Sequence, residues 1–409
     1  MNAYRLLGWL TAVLALPGVA ARPPHDRVVP VDGVLVGPDS LFRKLSGRLQ
    51  GPALGRPLRV LQIGDSHSAN GFFAAELAAR IAPSGGIAPS FHAPYHRGLL
   101  MGRMEFSPGW ERSTWLQPVD NGSNGPSGTA AITRLASASV RLMLSAAAPR
   151  GSRVTFWWSA PEGTRAAIRV DGGAPLPVRV GRADANVPMA HLTIGLPEGA
   201  KQISLEGIQS VRGEAVRFFG ASVDRRDAPL TYDVLGLGGA THAHALLRQA
   251  GALSQFLDER APDVLLVWFG TNSVVDPRID EGRFTREYGA LVDSLRAHAP
   301  LAQIVLIGPP DFARPDVPCR SLDPCAMRSG GCYPVSHPNV PIVRDFIKAV
   351  AASRGAVFFD VYRSQGKRGG MLRGHCAIPP TVQRDLVHMT EAGYRGLAQV
   401  FWSALPSRR

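Results

Sequence analysis

Two stretches of this chain pair a potential nucleophile with a potential base. In VLQIGDSHSANGF, Val60 to Phe72, three apolar strand residues run into Gly-Asp-Ser-His and then into a helical pattern, which puts Ser66 at a strand-to-helix corner. Far downstream, DLVHMTEAGY sets Asp385 three residues before His388, just ahead of the last helical stretch. A serine hydroxyl attacks a carbonyl only when a base takes its proton, and an imidazole serves as that base when its other nitrogen is held in one tautomer. Within one irregular turn the Asp385 carboxylate can reach back to the His388 ring and leave the second nitrogen for Ser66. Taken singly, the serine reads as a helix cap and Asp-x-x-His as a surface or capping pair.

Attack on a carbonyl also needs donors for the developing oxyanion. VLGLGGATH offers consecutive glycines where a backbone N–H can approach a substrate closely, with Gly239 favoured. WFGTNSV ends an apolar run in Gly270-Thr271-Asn272, and a rigidly held Asn272 amide can donate to negative charge. The N–H of Ser66, at a helix start, is a third donor. His67 reads as a structural residue that ties the corner. His92 and His96 in HAPYH read as part of a loop near the site mouth, since Pro94 interrupts helical metal-ligand spacing and no third ligand is evident.

These residues must be carried by strands and helices, and the patterns supply them. LRVLQI, YDVLGL, DVLLVWFG, QIVLIG and AVFFDVY are apolar runs of strand length, alternating with amphipathic helical stretches such as TREYGALVDSLRAHA. Apolar strands alternating with helices imply a parallel sheet covered on both faces, and open sheets of that kind place their sites at the carboxyl ends of strands. Residues from about 100 to 225 break the rhythm. ASVRLMLSA, SRVTFWWSA, AAIRVDG, PVRVGR, HLTIGL, QISLEGI and AVRFFGASVD alternate or are β-branched, with Gly, Pro and Asp between them. That is an antiparallel sandwich, placed between the first and second strands of the α/β core as an inserted domain. The aromatic run Phe156 to Ser159 reads as sandwich core rather than a sugar-stacking face.

The boundaries expected are 1–21 for a signal peptide, 22–57 for an N-terminal segment, 58–100 for the first part of the core, 101–225 for the insertion and 226–409 for the rest. Arg5, the apolar run Leu6 to Leu16 and the small residues around Val19 and Ala21 form the signal, and the run is too short for a spanning helix. A periplasmic or secreted location follows, without membrane insertion after cleavage. Export agrees with four late cysteines, Cys319, Cys325, Cys332 and Cys376, read as two disulfides with three pairings open. They staple a long Pro-rich connection, read as an ordered rim that shapes the substrate site. The net charge of +13 comes from scattered arginines with few lysines, so no basic block with interleaved aromatics supports nucleic-acid binding.

Ser66, Gly239, Asn272 and His388 fall in chain order at four successive predicted strand ends. With Asp385, this order resembles the SGNH (GDSL-like) hydrolases, over about Leu58–Asn70 and residues 231–404. Gly238-Gly239-Ala240 stands where related sequences often carry Asn-Gly-Ala. The resemblance implies a flavodoxin-like three-layer αβα core, catalytic Ser66, Asp385 and His388, an oxyanion hole of Ser66, Gly239 and Asn272, and neither metal nor cofactor. IGDSHS, export and a β domain between the first two blocks are most similar to the peptidoglycan O-acetylesterases, whose insertion is carbohydrate-binding-module-like. The expected function is an exported serine esterase that removes O-acetyl groups from peptidoglycan or a related envelope glycan. The alternatives are an O-acetyltransferase on such a polysaccharide and a glycan-binding protein with a vestigial hydrolase site.

Overall fold

The computed structural model describes residues 33–51, 55–83, 87–88, 91–96, 102–180, 189–210, 213–225, 227–314, 325 and 335–406. The expected signal peptide, Cys319 and Cys332 lie outside the described residues. Among the described residues no helix is long and apolar enough to cross a membrane.

One sheet is built from Leu35–Val36 (β1), Leu58–Gly64 (β2), Ile87–Ala88 (β3), Leu230–Gly236 (β14), Val264–Trp268 (β15), Gln303–Ile307 (β16) and Val357–Phe359 (β19), with strands β4 to β13 forming the insertion and Ala313–Arg314 (β17) pairing Val335–Ser336 (β18) apart from it. The order is β1-β19-β16-β15-β2-β14-β3, parallel throughout except for β1, which runs antiparallel to β19. Because side chains alternate along a strand, one run feeds two layers. In β15, Leu265 and Val267 enter one apolar cluster, while Val264, Leu266 and Trp268 enter the other.

The first cluster is closed by His242–Arg260 (α4), Glu281–His298 (α5) and Asn339–Ser353 (α6), through Phe256, Tyr288 and Ile347 among others. Asp39–Leu49 (α1), Phe72–Ile81 (α3) and Glu391–Ser403 (α9) close the second, through Leu45, Phe73 and Phe401. Each helix presents apolar residues three or four apart, which is why it lies flat on the sheet. Phe73 sits edge-on to both Trp268 and Phe401; burying such a side chain contributes about 1.5–3 kcal/mol.

The insertion is a two-sheet antiparallel sandwich of ten strands: Gly102–Phe106 (β4), Glu111–Thr114 (β5), Thr129–Thr133 (β6), Ala138–Leu144 (β7), Ser152–Ser159 (β8), Arg165–Val170 (β9), Leu176–Arg179 (β10), Ala190–Gly195 (β11), Gln202–Gln209 (β12) and Val216–Arg225 (β13). Three of these, β4, β5 and β6, escape the sequence reading: GRMEF and ERST are only five and four residues long, and TAAIT is buried at every position and does not alternate. The insertion also enters after the edge strand β3, a third strand in chain order, rather than between the first two; a two-residue strand has no periodicity to detect. Phe156 and Trp158 fill the sandwich core, whereas Trp157 points to the α/β core and packs on Phe256.

The sandwich is fastened to the core by polar groups as well. Gln255 on α4 exchanges two hydrogen bonds with the backbone of Met189. Arg260 donates to Asp233 on β14 and to Asp224 on β13, so one buried guanidinium bridges both domains. At this seam, near the amino ends of β2 and β14, lies a cavity of about 550 Å³. Of the arginines that line it, Arg56, Arg225 and Arg260 are paired with carboxylates and Arg59 donates to the Arg260 carbonyl, so it reads as a structural junction.

Candidate active site

The parallel register brings three chain corners level. Gly64 at the end of β2 pairs with Gly236 of β14 on one side and Trp268 of β15 on the other. The segments that follow, with Ser66, Gly239 and Asn272, therefore emerge side by side at the carboxyl ends of the strands. Gly64 is needed for closeness: a Cβ there would lie 2.3 Å from the Trp268 carbonyl oxygen and 2.5 Å from Ser68 Oγ.

Ser66 opens a four-residue helix, Ser66–Ala69 (α2), capped by Asp65, whose carboxylate accepts the His67 N–H at 2.9 Å. Behind the corner, buried Gln62 accepts from the Tyr232 hydroxyl and donates to Ser68 Oγ, which holds the turn rigid. His67 is buried, bonded through Nδ1 to the Tyr394 hydroxyl at 2.8 Å and stacked on Trp268. Burial, and then the nearby His388 ring, push its pKa down to about 3, so it is neutral. It is a structural residue under the His388 ring, with centroids 5.4 Å apart.

Across a sequence separation of 322 residues, His388 Nε2 lies 2.8 Å from Ser66 Oγ. The other ring nitrogen, Nδ1, is 2.6 Å from Asp385 Oδ2. Asp385 Oδ1 accepts the N–H groups of Val387 and His388, a turn made possible by the left-handed backbone of Leu386 at φ 55°. The turn is braced: Leu386 is buried, Gln383 N–H donates to the His388 carbonyl, and the Gln383 amide donates to the Met389 carbonyl. Burial alone pushes the Asp385 carboxyl up, but the hydrogen bonds from the His388 ring and the two N–H groups outweigh it and hold the pKa at about 2. The bond to Asp385 raises the His388 pKa against its own burial.

One expectation is corrected here. His388 does not follow a strand end as Ser66, Gly239 and Asn272 do. After β19 the chain makes the short helices Val361–Ser364 (α7) and Gly370–His375 (α8), and His388 stands in the irregular stretch before α9. Asp385 folds back on His388 through a turn that includes the left-handed Leu386, and that turn lies beyond two short helices rather than at the end of β19. Cys376, the C-cap of α8, is joined to Cys325, one of the pairings left open by the sequence, and this ties the long connection to the loop that carries Asp385.

Ser66, Gly238, Gly239, Thr271, Asn272, Asp385 and His388 line one cavity of about 760 Å³, with Val275, Phe312, Arg384 and Val387. The Asn272 amide is anchored by one N–H to the Ala240 carbonyl at 2.9 Å, which leaves its second N–H free of that bond. Gly239 has φ 81°, a left-handed conformation. Below the floor, burial drives the Asp65 carboxyl up to about 7, against the pull of the His67 N–H, the His388 ring and Thr271. His92 and His96 are not among the lining residues: His92 is buried and pairs with Ala221 of β13, so HAPYH belongs to the domain seam and not to the site mouth. Backbone hydrogen bonds between His92 and Ala221 decide this, and spacing alone does not show which side of a loop is covered.

The arrangement can take a proton from a serine hydroxyl and deliver it to a leaving group, with a backbone glycine and a side-chain amide nearby for an oxyanion. Among the described residues no cluster of His, Cys, Asp and Glu could hold a metal ion. Sequence reading missed Val275 and Phe312, which have no motif; Arg384 and Val387 could have been found only as neighbours of Asp385 and His388.

Residues 205–395 match the model of the GDSL-like lipase/acylhydrolase family. The match contains Gly239, Asn272, Asp385 and His388 but not Ser66, which the insertion separates from them. No curated protein matches the chain. Among solved structures, "Peptidoglycan O-acetylesterase in action, 5 min" is 20% identical with a TM-score of 0.69, over 91% of this chain and 98% of that one. A family two carbohydrate esterase from Clostridium thermocellum in complex with cellohexaose is 13% identical, at TM-score 0.28 over 74% of this chain and 97% of that one. The α/β sheet with its inserted sandwich is thus the fold of that O-acetylesterase structure, and the second part of the core is similar to the GDSL-like lipase/acylhydrolase family.

Proposed function

We propose that this protein is an exported serine esterase that removes O-acetyl groups from peptidoglycan or a related envelope glycan. The observation that carries the reading is the unbroken relay Ser66 Oγ–His388–Asp385 at the wall of a cavity that also holds Gly239 and Asn272. A fold shared over nearly the whole chain with a peptidoglycan O-acetylesterase supports the substrate class.

In this mechanism His388 Nε2 takes the Ser66 proton as Oγ attacks the ester carbonyl. The oxyanion is met by the N–H groups of Ser66 and Gly239 and by the Asn272 amide. Collapse breaks the bond to the sugar oxygen, which leaves with the proton from His388. Water, activated by the same ring, then attacks the acetyl-serine and releases acetate. A sugar hydroxyl in place of that water would make the reaction a transfer. Incubating the protein with O-acetylated peptidoglycan, with and without an added glycan acceptor, and following free acetate and acetylated acceptor tests both outcomes. Acetate release supports the proposal; acetylated acceptor without acetate would replace it by a transferase, and neither product would end it.

Asn272→Ala is expected to leave KM nearly unchanged and to lower kcat about 10²–10³-fold, the usual cost of one oxyanion donor. A loss below about threefold would make Asn272 a structural anchor for Ala240 only.

The rate should rise with pH. Protonated His388 cannot accept the serine proton, so activity is present above its pKa and lost below it. The Asp385 bond moves that pKa upward, so the midpoint of the acid limb is expected above the ordinary imidazole value of about 6.5. A flat kcat/KM from pH 5 to 8, with chemistry rate-limiting, would remove His388 as the base.

A further inference from the structure

We infer that Leu116, supplied by the inserted sandwich, is the wall that restricts the acyl group to a small one. This deepens the proposed function and rests on its assignment of Gly239 to the oxyanion hole.

Leu116 follows β5 on a knuckle that is braced on both sides. The Thr114 N–H donates to the Gln117 carbonyl at 3.1 Å, and the Gln117 N–H donates back to Thr114 Oγ1 at 3.0 Å. The Trp115 N–H donates to the Gly128 carbonyl, and the Val119 N–H to Ser113 Oγ. Trp115 itself is buried, and its indole lies over Gly128, where a Cβ would come within 2.2 Å of the ring. Leu116 is turned the other way and is 41% exposed. Its Cδ1 reaches the α/β core at Gly239: a Cβ on that glycine would lie 2.8 Å from it. A large apolar side chain is thus held, partly in water, against the residue whose N–H meets the substrate carbonyl.

Geometry limits what that side chain can touch. A carbonyl oxygen accepting from Gly239 stands about 2.9 Å from its nitrogen. The groups on the carbonyl carbon are then one or two bonds away, within reach of a side chain that leans over the same face of Gly239. One of those groups is a sugar oxygen flanked by hydroxyls, which would lose hydrogen bonds to water against a leucine. The other is the acyl substituent, which would not. Val275, 43% exposed and three residues beyond Asn272, gives the cavity an apolar lining with Phe312 and Val387, and Leu116 borders that lining at Gly239. Methyl fits such a slot; added carbons run into a leucine whose loop is tied down by four hydrogen bonds. On this reading the insertion belongs to the active site whether or not it also binds glycan.

The test compares two sulfonyl fluorides that label an activated serine without an ester being turned over. Oγ attacks sulfur, the S–F bond breaks, fluoride leaves and the serine proton passes to His388. Rates of Ser66 modification by methanesulfonyl fluoride and phenylmethanesulfonyl fluoride are read by intact mass in the full chain, with Leu116→Ala and Leu116→Trp. The ratio of the bulky to the small reagent should rise about tenfold or more in Leu116→Ala, the scale on which an apolar pocket discriminates by size, and fall in Leu116→Trp. Kinetics with p-nitrophenyl acetate and butyrate should move in the same sense. Ratios within twofold of the parent in both folded variants would overturn the inference. A shifted labelling ratio in a protein that releases no acetate would uphold the wall while removing the esterase reading.

Discussion

Replacing Ser66 by alanine is expected to lower turnover of a small acetyl ester by roughly 10⁶-fold, the scale seen when a triad nucleophile is deleted. The chemistry depends on one oxygen: Oγ is 2.8 Å from His388 Nε2 and borders the cavity. The fold should hardly notice. The corner is maintained by the Asp65 cap, by the Gln62–Ser68 bond and by the Gly64 contact with Trp268, none of which involves the Ser66 side chain. Losing its hydrogen bond to His388 costs about 0.5–1.5 kcal/mol at most, a few degrees in melting temperature or less. The decisive measurement is the initial rate with p-nitrophenyl acetate, together with intact mass of the protein quenched during turnover. The parent should carry a transient acetyl group and the variant should not. Retention of more than about one part in a hundred of the rate would mean that another nucleophile acts.

Asp385→Asn should cost about 10⁴-fold in kcat with a much smaller change in KM. The asparagine carbonyl can still accept the N–H groups of Val387 and His388, so the turn around Leu386 survives. What is lost is the negative charge at Nδ1. The amide can then present N–H to Nδ1, which moves the ring proton to Nε2 and leaves it facing Ser66 as a donor instead of an acceptor. The two causes that raise the His388 pKa most through a partner, the hydrogen bond and the charge of Asp385, disappear as well. The residual activity should therefore show an acid limb displaced to lower pH than in the parent. A variant with the parent's midpoint, or with a rate within tenfold of it, would show that Asp385 neither orients nor charges the base.

Much of this molecule is written in local pattern. Strands such as Val264–Trp268 are apolar at every position because both faces are covered, and the helices between them repeat at three and four residues because one face is. Both signals are set by neighbours along the chain, so fold class, sandwich and helices could be read directly. The corner chemistry was legible for the same reason: Gly-Asp-Ser at a strand end and Asp-x-x-His before a helix are short-range arrangements.

Tertiary structure alone decided which of these groups meet. The bond between Ser66 and His388 spans 322 residues and exists because α9 packs beside α3 on one face of the sheet while β2, β14 and β15 share a register. His388 leaves the strand-end series, HAPYH turns into the domain seam, and Cys325 takes Cys376 as its partner. Leu116 arrives at Gly239 from a different domain, on a knuckle with no periodicity of its own. A residue's type and its neighbours specify which face it wants buried, and therefore its element. Which distant face it is buried against depends on strand order, register and the path of each connection, and these are settled by the summed packing of the whole chain.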